Sequence, residues 1–214
     1  MLRLVYFNAR GLAETSRILL ALAQVDYEDY RYPIEVIDPV NHIYKREEFE
    51  EAKKTGRLDK SMGKLPLLEL EDGSVIAQSK AIERYISKRY NFMGSGLNEE
   101  ARIDAVCECI RDIKDRYQKV RSLSDPEKEK YFSNDLPGEL ESLVKTLDTD
   151  TKFAIGNKLS LADVSIYSLI TQFYDNKEVL NIAGNIPRIR DIVMKVASRP
   201  EVRVWMQDRP KTLF

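Results

Sequence analysis

The chain of 214 residues has few cysteines, one histidine, one tryptophan and no long hydrophobic run. Its two cysteines, Cys107 and Cys109, are too few for a disulfide framework or a metal cluster. Residues two apart on a helix point in different directions, so we expect Cys107 to be core packing and Cys109 to be incidental. Apolar runs such as 18–23 are too short to cross a membrane, and Met1–Phe7 lacks a cleavable signal pattern. We therefore expect a cytoplasmic protein with no structural metal and no membrane partner.

An excess of charge of one sign is also absent. The chain has 34 Lys plus Arg against 35 Asp plus Glu, which gives a net charge of -1. This balance argues against a general electrostatic binder of nucleic acids or membranes, so any anion site must be local. The 43% hydrophobic content is typical of a soluble globular protein, and the length suits one large or two small domains.

The first 90 residues alternate between strand and helix patterns. A turn signal at Glu71-Asp72-Gly73 predicts an antiparallel hairpin, whereas the earlier strands are separated by a helix. The predicted elements are strand 2–7, helix 13–23, strand 27–32, helix 44–54, strands 67–70 and 74–77, and helix 79–90. This β-α-β-α-β-β-α order, a parallel crossover followed by a hairpin, predicts a thioredoxin-like domain over residues 1–90.

After a linker at 91–97, the strand patterning is lost. Apolar residues at spacings of three and four predict one long helix. The stripe consists of Ile103, Val106, Cys107, Ile110, Ile113, Tyr117 and Val120. A second helix is predicted from about Asp125 or Pro137 to Leu147, with an interruption at Pro137-Gly138. Ser160 with Asp163 predicts a structural capping box at the start of a third helix. Helices over 188–198 and 201–207 follow. The fold class is thus an α/β thioredoxin-like N-terminal domain plus an all-α C-terminal helical domain over 98–214.

A candidate binding site lies around Pro66. Proline cannot donate to a sheet ladder, so Pro66 belongs at the entry of an edge strand. If Leu65-Pro66 is cis, the backbone of Leu65 turns outward and can pair with a bound peptide. Further on, Gln78 precedes Ser79, which suits an N-cap, and the free amides of that helix favour a carboxylate. The same fragment also suits a strand-turn-helix that binds nothing.

The end of the first strand carries the candidate catalytic group. A thioredoxin-like domain that exchanges disulfides places Cys-x-x-Cys there, because a thiolate is stabilised at a helix N-terminus. This chain has Tyr6 to Gly11 instead. The phenol of Tyr6 does not readily exchange disulfides, but it can donate a hydrogen bond to an anion and so lower the pKa of a bound thiol.

These residues resemble the cytosolic glutathione transferases that use a catalytic tyrosine, and among them most closely the sigma class, which includes glutathione-dependent prostaglandin D synthases. The resemblance covers nearly the whole chain. It rests on four landmarks in the same order, Leu4–Glu14, Lys64–Pro66, Gln78-Ser79 and Ser160–Asp163. It implies a homodimeric enzyme that adds the thiolate of glutathione, its co-substrate, to hydrophobic electrophiles.

On this resemblance, Tyr6 holds the glutathione sulfur as a thiolate, the competent nucleophile near neutral pH. The glutathione-binding residues would be Lys64, Leu65, Pro66, Gln78, Ser79 and Asp104. Lys64 would reach the glycyl carboxylate and Leu65, beside a cis Pro66, the cysteinyl part, while the Gln78-Ser79 pair would take the γ-glutamyl carboxylate. Asp104 would reach the γ-glutamyl amine across a dimer interface.

Arg10 is expected to support this site or to be structural. It lies four residues from Glu14, and the two side chains can pair around the start of the first helix. The electrophile pocket is expected between Tyr6 and the first long helix. The residues that could face it are Arg111, Asp112, Asp115, Tyr117 and Phe214.

Three departures from the family pattern bear on function. Leu12 stands where the family often has an arginine that shapes the thiol environment, which argues against prostaglandin synthesis. The glutathione-contacting tryptophan before the proline is missing, and the 33–62 interval is longer than in typical sigma-class members. His42, Tyr44, Lys45 and Arg46 are candidates to replace the tryptophan contact, although His42 is more simply a surface residue. The alternatives are a non-catalytic, crystallin-like protein on the same scaffold, or a glutathione-dependent isomerase or peroxidase.

Overall fold

The computed structural model describes residues 1–38, 43–174 and 177–212. The chain divides into two compact units, one formed by Met1–Ile86 with Asp208–Phe214 and the other by Ser87–Gln207. The linker between the two domains, predicted at 91–97 from its turn-forming residues, stays a prediction. No helix among the described residues is long and apolar enough to span a bilayer.

The first unit is built on a four-stranded sheet with the order β2-β1-β5-β6. Its elements are β1 Leu2–Phe7, α1 Glu14–Leu22, β2 Tyr27–Tyr32, β3 Glu35–Asp38, β4 Ile43–Lys45, α2 Glu47–Lys54, β5 Leu67–Glu69, β6 Val75–Ala77 and α3 Ser79–Arg89. Strand β1 runs parallel to β2 and antiparallel to β5, and β5 pairs antiparallel with β6. The predicted β-α-β crossover and hairpin are therefore confirmed.

Alternation along β1 gives the sheet two different faces, because successive side chains of a strand point to opposite sides. Val5 packs on one face in a buried cluster with Tyr32, Phe49, Leu58 and Leu67. The neighbouring Leu4 and Tyr6 are also buried, at 0% and 8% exposure. Tyr6 is therefore held firmly at the end of a central strand.

The helical prediction for residues 44–54 was wrong at its start. Tyr44 lies in β4, which pairs with β3 in a separate two-stranded sheet, and α2 begins only at Glu47. This small sheet was missed because its strands are short and mostly charged or exposed, so they lack a clear apolar alternation.

The second unit contains helices α4 to α10 in the described part of the chain. Their bounds are α4 Leu97–Val120, α5 Asp125–Lys130, α6 Leu136–Val144, α7 Leu161–Ser168, α8 Glu178–Gly184, α9 Pro187–Ala197 and α10 Pro200–Asp208. The predicted apolar stripe of α4 is confirmed, since all seven of its residues are buried. Cys107 belongs to this core, with Sγ 3.5 Å from the Ser165 hydroxyl, whereas Cys109 is only partly buried.

The capping box at the start of α7 is also confirmed. The carboxylate of Asp163 accepts hydrogen bonds from the Ser160 backbone at 2.9 Å and from its hydroxyl at 2.7 Å. It also accepts the Ala154 amide at 2.7 Å. Burial raises the pKa of Asp163, while these three donors act in the opposite direction. The predicted interruption at Pro137 was wrong, because α5 continues through a π-helical segment, Tyr131–Asp135, directly into α6.

Candidate active site

Tyr6 is positioned by the turn that follows β1. Its hydroxyl oxygen accepts a hydrogen bond from the Leu12 backbone N–H at 3.1 Å. Gly11 passes so close to the ring that a Cβ there would lie 2.5 Å from the Tyr6 hydroxyl, and its φ of +40° is in the region that favours glycine. The glycine therefore allows the chain to wrap around the phenol and present one amide to it.

The electrostatics of this pocket keep the phenol protonated. Burial raises the pKa of Tyr6 above its usual value, while the Leu12 N–H and the charge of Arg17 act in the opposite direction. The Tyr6 oxygen accepts the hydrogen bond from Leu12, and the hydroxyl proton is still available to donate a second bond. Among the described residues, no acceptor is bonded to this proton. A neutral phenol with a free proton is a hydrogen-bond donor aimed at an incoming anion.

A buried ion-pair network supports the turn from within. Arg17 is 0% exposed and donates to the Ala9 carbonyl at 2.7 Å and to Asp29 at 3.1 Å. Its guanidinium also lies 5.9 Å from the centre of the Tyr6 ring and 3.4 Å from the carboxylate of Glu14. Arg17 thus fixes the backbone that leads from β1 into the Gly11 turn. Sequence reasoning missed this residue, although a charge inside an apolar helix, three residues after Glu14, was a usable signal.

The predicted pair between Arg10 and Glu14 was wrong. The Glu14 carboxylate binds Arg17 and, through its other oxygen, Arg209 at 2.6 Å. Arg10 contributes its backbone carbonyl, which accepts from Arg17 at 3.4 Å, and its Nε is buried without a partner among the described residues. Glu14 is 2% exposed and closer to two other cations, so the spacing of four residues did not decide its partner.

The Leu65-Pro66 peptide bond is cis, as the sequence analysis anticipated. Pro66 is buried at the entry of β5, and Leu65 is partly buried against the sheet core. Among the described residues, the backbone of Leu65 takes no part in the hydrogen bonds of turns, loops or strand ladders. Lys64 beside it is exposed, and its ammonium group makes no ion pair within the described ranges.

The start of α3 differs from the prediction by one residue. Helix α3 begins at Ser79, and the Gln78 carbonyl accepts the amide of Ile82 at 3.0 Å, so Gln78 rather than Ser79 is the N-cap. Gln78 has a φ of +73°, a conformation that non-glycine residues rarely adopt and that concentrates at functional sites. The side chains of Gln78 and Ser79 have no hydrogen-bond partner among the described residues, so both can bind a ligand at the helix terminus.

The candidates to replace the missing tryptophan differ in their surroundings. Lys45 pairs with Glu47 at 3.1 Å, which directs it to the surface. Arg46 lies over the ring of Phe7 at 5.7 Å, and the Phe7 ring is in turn 5.4 Å from that of Tyr6. Arg46 is thus linked to Tyr6 through the ring of Phe7.

The remaining expected residues lie elsewhere in the chain. Asp104 is partly buried on α4, where Arg111, Asp112 and Asp115 are exposed. Tyr117 is buried in an aromatic cluster in which its ring stacks on Tyr131 at 5.8 Å, so its side chain is part of the helical core. His42 and Phe214 lie outside the described residues. No group of three metal-ligating side chains is found in the described part of the chain.

Comparison with known proteins agrees with this fold. The family model described as the glutathione S-transferase N-terminal domain matches residues 2–88, and the one described as the C-terminal domain matches residues 111–209. Together the two matches cover a mixed α/β N-terminal domain and a helical C-terminal domain, which is the arrangement that this structure shows. The chain belongs to the glutathione S-transferase family.

Individual relatives extend over the full length. Glutathione S-transferase 3 of Caenorhabditis elegans is 31% identical over 99% of this chain and 98% of the relative. Hematopoietic prostaglandin D synthase of Gallus gallus is 33% identical over 98% of this chain and 97% of the relative. Among solved structures, the glutathione S-transferase from Ascaris lumbricoides superimposes with a TM-score of 0.79 and 25% identity, with 100% of both chains covered.

Proposed function

We propose that this protein conjugates the thiolate of glutathione to hydrophobic electrophiles and that the Tyr6 hydroxyl stabilises the thiolate. The observation that carries the proposal is the bonding state of the phenol. Its oxygen accepts the Leu12 amide at 3.1 Å, and burial raises its pKa, so it stays a donor with one proton to give. A thiolate sulfur is the acceptor that this arrangement suits, because hydrogen bonding to the charged form lowers the pKa of the bound thiol.

The rest of the tripeptide would be held by backbone groups and side chains of the same unit. The backbone of Leu65 is uncommitted and adjoins the cis proline, so it can pair with the cysteinyl part. Gln78 and Ser79 at the start of α3 would take the γ-glutamyl carboxylate, where the helix terminus favours negative charge. Lys64 would reach the glycyl carboxylate, and Arg46 would take the place of the missing tryptophan.

The finer part of this proposal has three elements. They are membership of the sigma class, a homodimer in which Asp104 is contributed across the interface, and a cytoplasmic location. They rest on the resemblance and on relatives such as the prostaglandin D synthase of Gallus gallus. Equilibrium ultracentrifugation of the wild type tests the dimer. The Asp104→Asn variant tests the contact, because it should raise the KM for glutathione and leave kcat nearly unchanged.

Retention on immobilised glutathione followed by a turnover assay with an aromatic electrophile tests the main activity. Binding and turnover together support the proposal. Binding without turnover supports the crystallin-like alternative instead. An organic hydroperoxide and a prostaglandin endoperoxide, tested in parallel, decide whether the same thiolate serves a peroxidase or an isomerase.

The side chain of Leu12 bears on the isomerase alternative. It is 52% exposed and carries no charge, so only its backbone amide takes part in the site. A Leu12→Arg variant adds the charge that the family often has here and keeps that amide. We expect prostaglandin isomerisation, if measurable at all, to be higher in this variant than in the wild type.

A further inference from the structure

A second pocket lies on the α2 side of the sheet and does not include the residues of the Tyr6 site. It has a volume of about 470 Å³ and is lined by β1, β2 and β5 together with the segment after α2. The lining residues are Arg3, Val5, Tyr30, Tyr32, Arg57, Leu58, Leu67 and Glu69. Pockets that bind small organic molecules have volumes of ~300–1,000 Å³, so the size suits such a molecule better than a single inorganic ion.

Two arginines line this pocket, and within the described residues only Arg3 is paired with carboxylates. Arg3 is paired with Glu69 at 3.2 Å and with Glu28 at 3.0 Å, and it also lies 4.3 Å from the centre of the Tyr30 ring. Arg57 makes no ion pair or side-chain hydrogen bond with any described residue. Arg57 is exposed to solvent, so it is a cation at the surface of the pocket that is available to pair with a ligand carrying a negative charge.

Two hydroxyl groups accompany this cation. Tyr32 is only 5% exposed, yet its hydroxyl has no hydrogen-bond partner among the described residues and it lines the pocket. The Tyr32 hydroxyl is not among the fully buried unpartnered polar atoms of the described residues, so a ligand or water can reach it from the pocket. Burial and the neighbouring Tyr30 raise the pKa of Tyr32, whereas Arg57 and Arg3 lower it. The Tyr30 hydroxyl is likewise unbonded within the described ranges.

We propose that this pocket is a binding site for a small organic monocarboxylate, with Arg57 pairing with the carboxylate and the hydroxyls of Tyr30 and Tyr32 donating to it. The apolar part of the ligand rests on the sheet core at Val5, Leu58 and Leu67. Arg57 and Leu58 follow α2 and are not among the residues assigned to the glutathione site, so the two sites use different side chains.

The test uses benzoate as the probe, benzamide as its uncharged isostere, and the full-length protein with saturating glutathione. Methyl resonances of Val5, Leu58 and Leu67 report binding in this pocket. We expect saturable shifts with benzoate and at least tenfold weaker binding of benzamide, because the pair with Arg57 needs a charged oxygen. Equal binding of the two probes, or benzoate shifts confined to other methyl groups, would overturn the proposal.

Variants separate the pocket from non-specific attraction. Arg57→Met should weaken benzoate binding about tenfold or more, whereas Lys60→Met, which removes an exposed cation outside the pocket, should change it less than twofold. Tyr32→Phe keeps the buried ring and should weaken binding several-fold. Equal effects of Arg57→Met and Lys60→Met would refute the site. Glutathione turnover should be unaffected by all three variants. A failure of the carboxylate-binding proposal can therefore be distinguished from a failure of the Tyr6 assignment.

Discussion

Substitution of Tyr6 by phenylalanine isolates one hydrogen bond. The change removes the hydroxyl and keeps the ring, which is 8% exposed and packs against Phe7. The structural loss is small, because the only bond removed within the described residues is the one accepted from the Leu12 amide. We therefore expect the variant to fold, and to bind glutathione with an affinity within about threefold of the wild type.

The magnitude follows from the charge of the acceptor. A hydrogen bond to a charged group contributes about 1.5–3 kcal/mol, and one pKa unit corresponds to about 1.4 kcal/mol. Loss of the Tyr6 donor should therefore raise the pKa of bound glutathione by about one to two units, toward the value of about 8.5 for a free thiol. Well below that pKa, the thiolate fraction and kcat/KM should fall about 10- to 100-fold.

The assay is the pH dependence of kcat/KM with an aromatic electrophile, measured alongside the ultraviolet absorbance of the bound thiolate. The wild-type profile should rise with an apparent pKa below that of free glutathione, and the Tyr6→Phe profile should shift upward and approach the wild type at alkaline pH. Because burial raises the pKa of Tyr6 itself, ionisation of the phenol should not enter this range. Superimposable profiles of the two proteins would refute the reasoning.

Three further changes test the surroundings of the site. Gly11→Ala places a Cβ 2.5 Å from the Tyr6 hydroxyl and should lower kcat/KM at least tenfold. Gly138→Ala, where a Cβ would have no atom within 4 Å, should keep the activity and raise the stability by about 0.5–1 kcal/mol in a thermal melt. Arg17→Met should cost about 1.5–3 kcal/mol in urea unfolding, because Glu14 and Asp29 each lose a charged donor although they keep Arg209 and Arg31. The exposed Arg190→Met should cost at most about 0.5 kcal/mol, and equal costs would contradict the network. Ser79→Ala should raise the KM for glutathione about tenfold and leave kcat nearly unchanged. A fall in kcat alone would contradict the assignment of Ser79 to glutathione binding.

The elements of the sheet were predictable where the pattern is regular. The bounds of β1 and β2 agree with the prediction because both segments are rich in residues that favour strands: β1 is apolar or aromatic except for Arg3, and half of β2 is tyrosine. The capping box at Ser160 was equally readable, since its residues are adjacent in sequence. The strands β3 and β4 could not be predicted in this way. They are short and charged and are stabilised by pairing with each other, so they lack the apolar pattern by which a strand is recognised in a sequence.

The site was predictable in its residue types and less so in its bonding. The sequence analysis considered the side chain of Leu12, but the contact to Tyr6 is made by its backbone amide, which every residue except proline possesses. Arg17 was overlooked because its importance depends on its burial and on Asp29, which lies 12 residues away on β2. Residue spacing does not specify which backbone amide contacts a side chain, and it does not specify which residue pairs with a buried charge.

A crystal structure of the protein with glutathione tests the central claim most directly. The account predicts a sulfur atom within hydrogen-bond distance of the Tyr6 hydroxyl while the Leu12 amide still donates to the same oxygen, with the γ-glutamyl carboxylate at Ser79. A glutathione bound with its sulfur turned away from Tyr6, in a complex that nonetheless turns over, would contradict it.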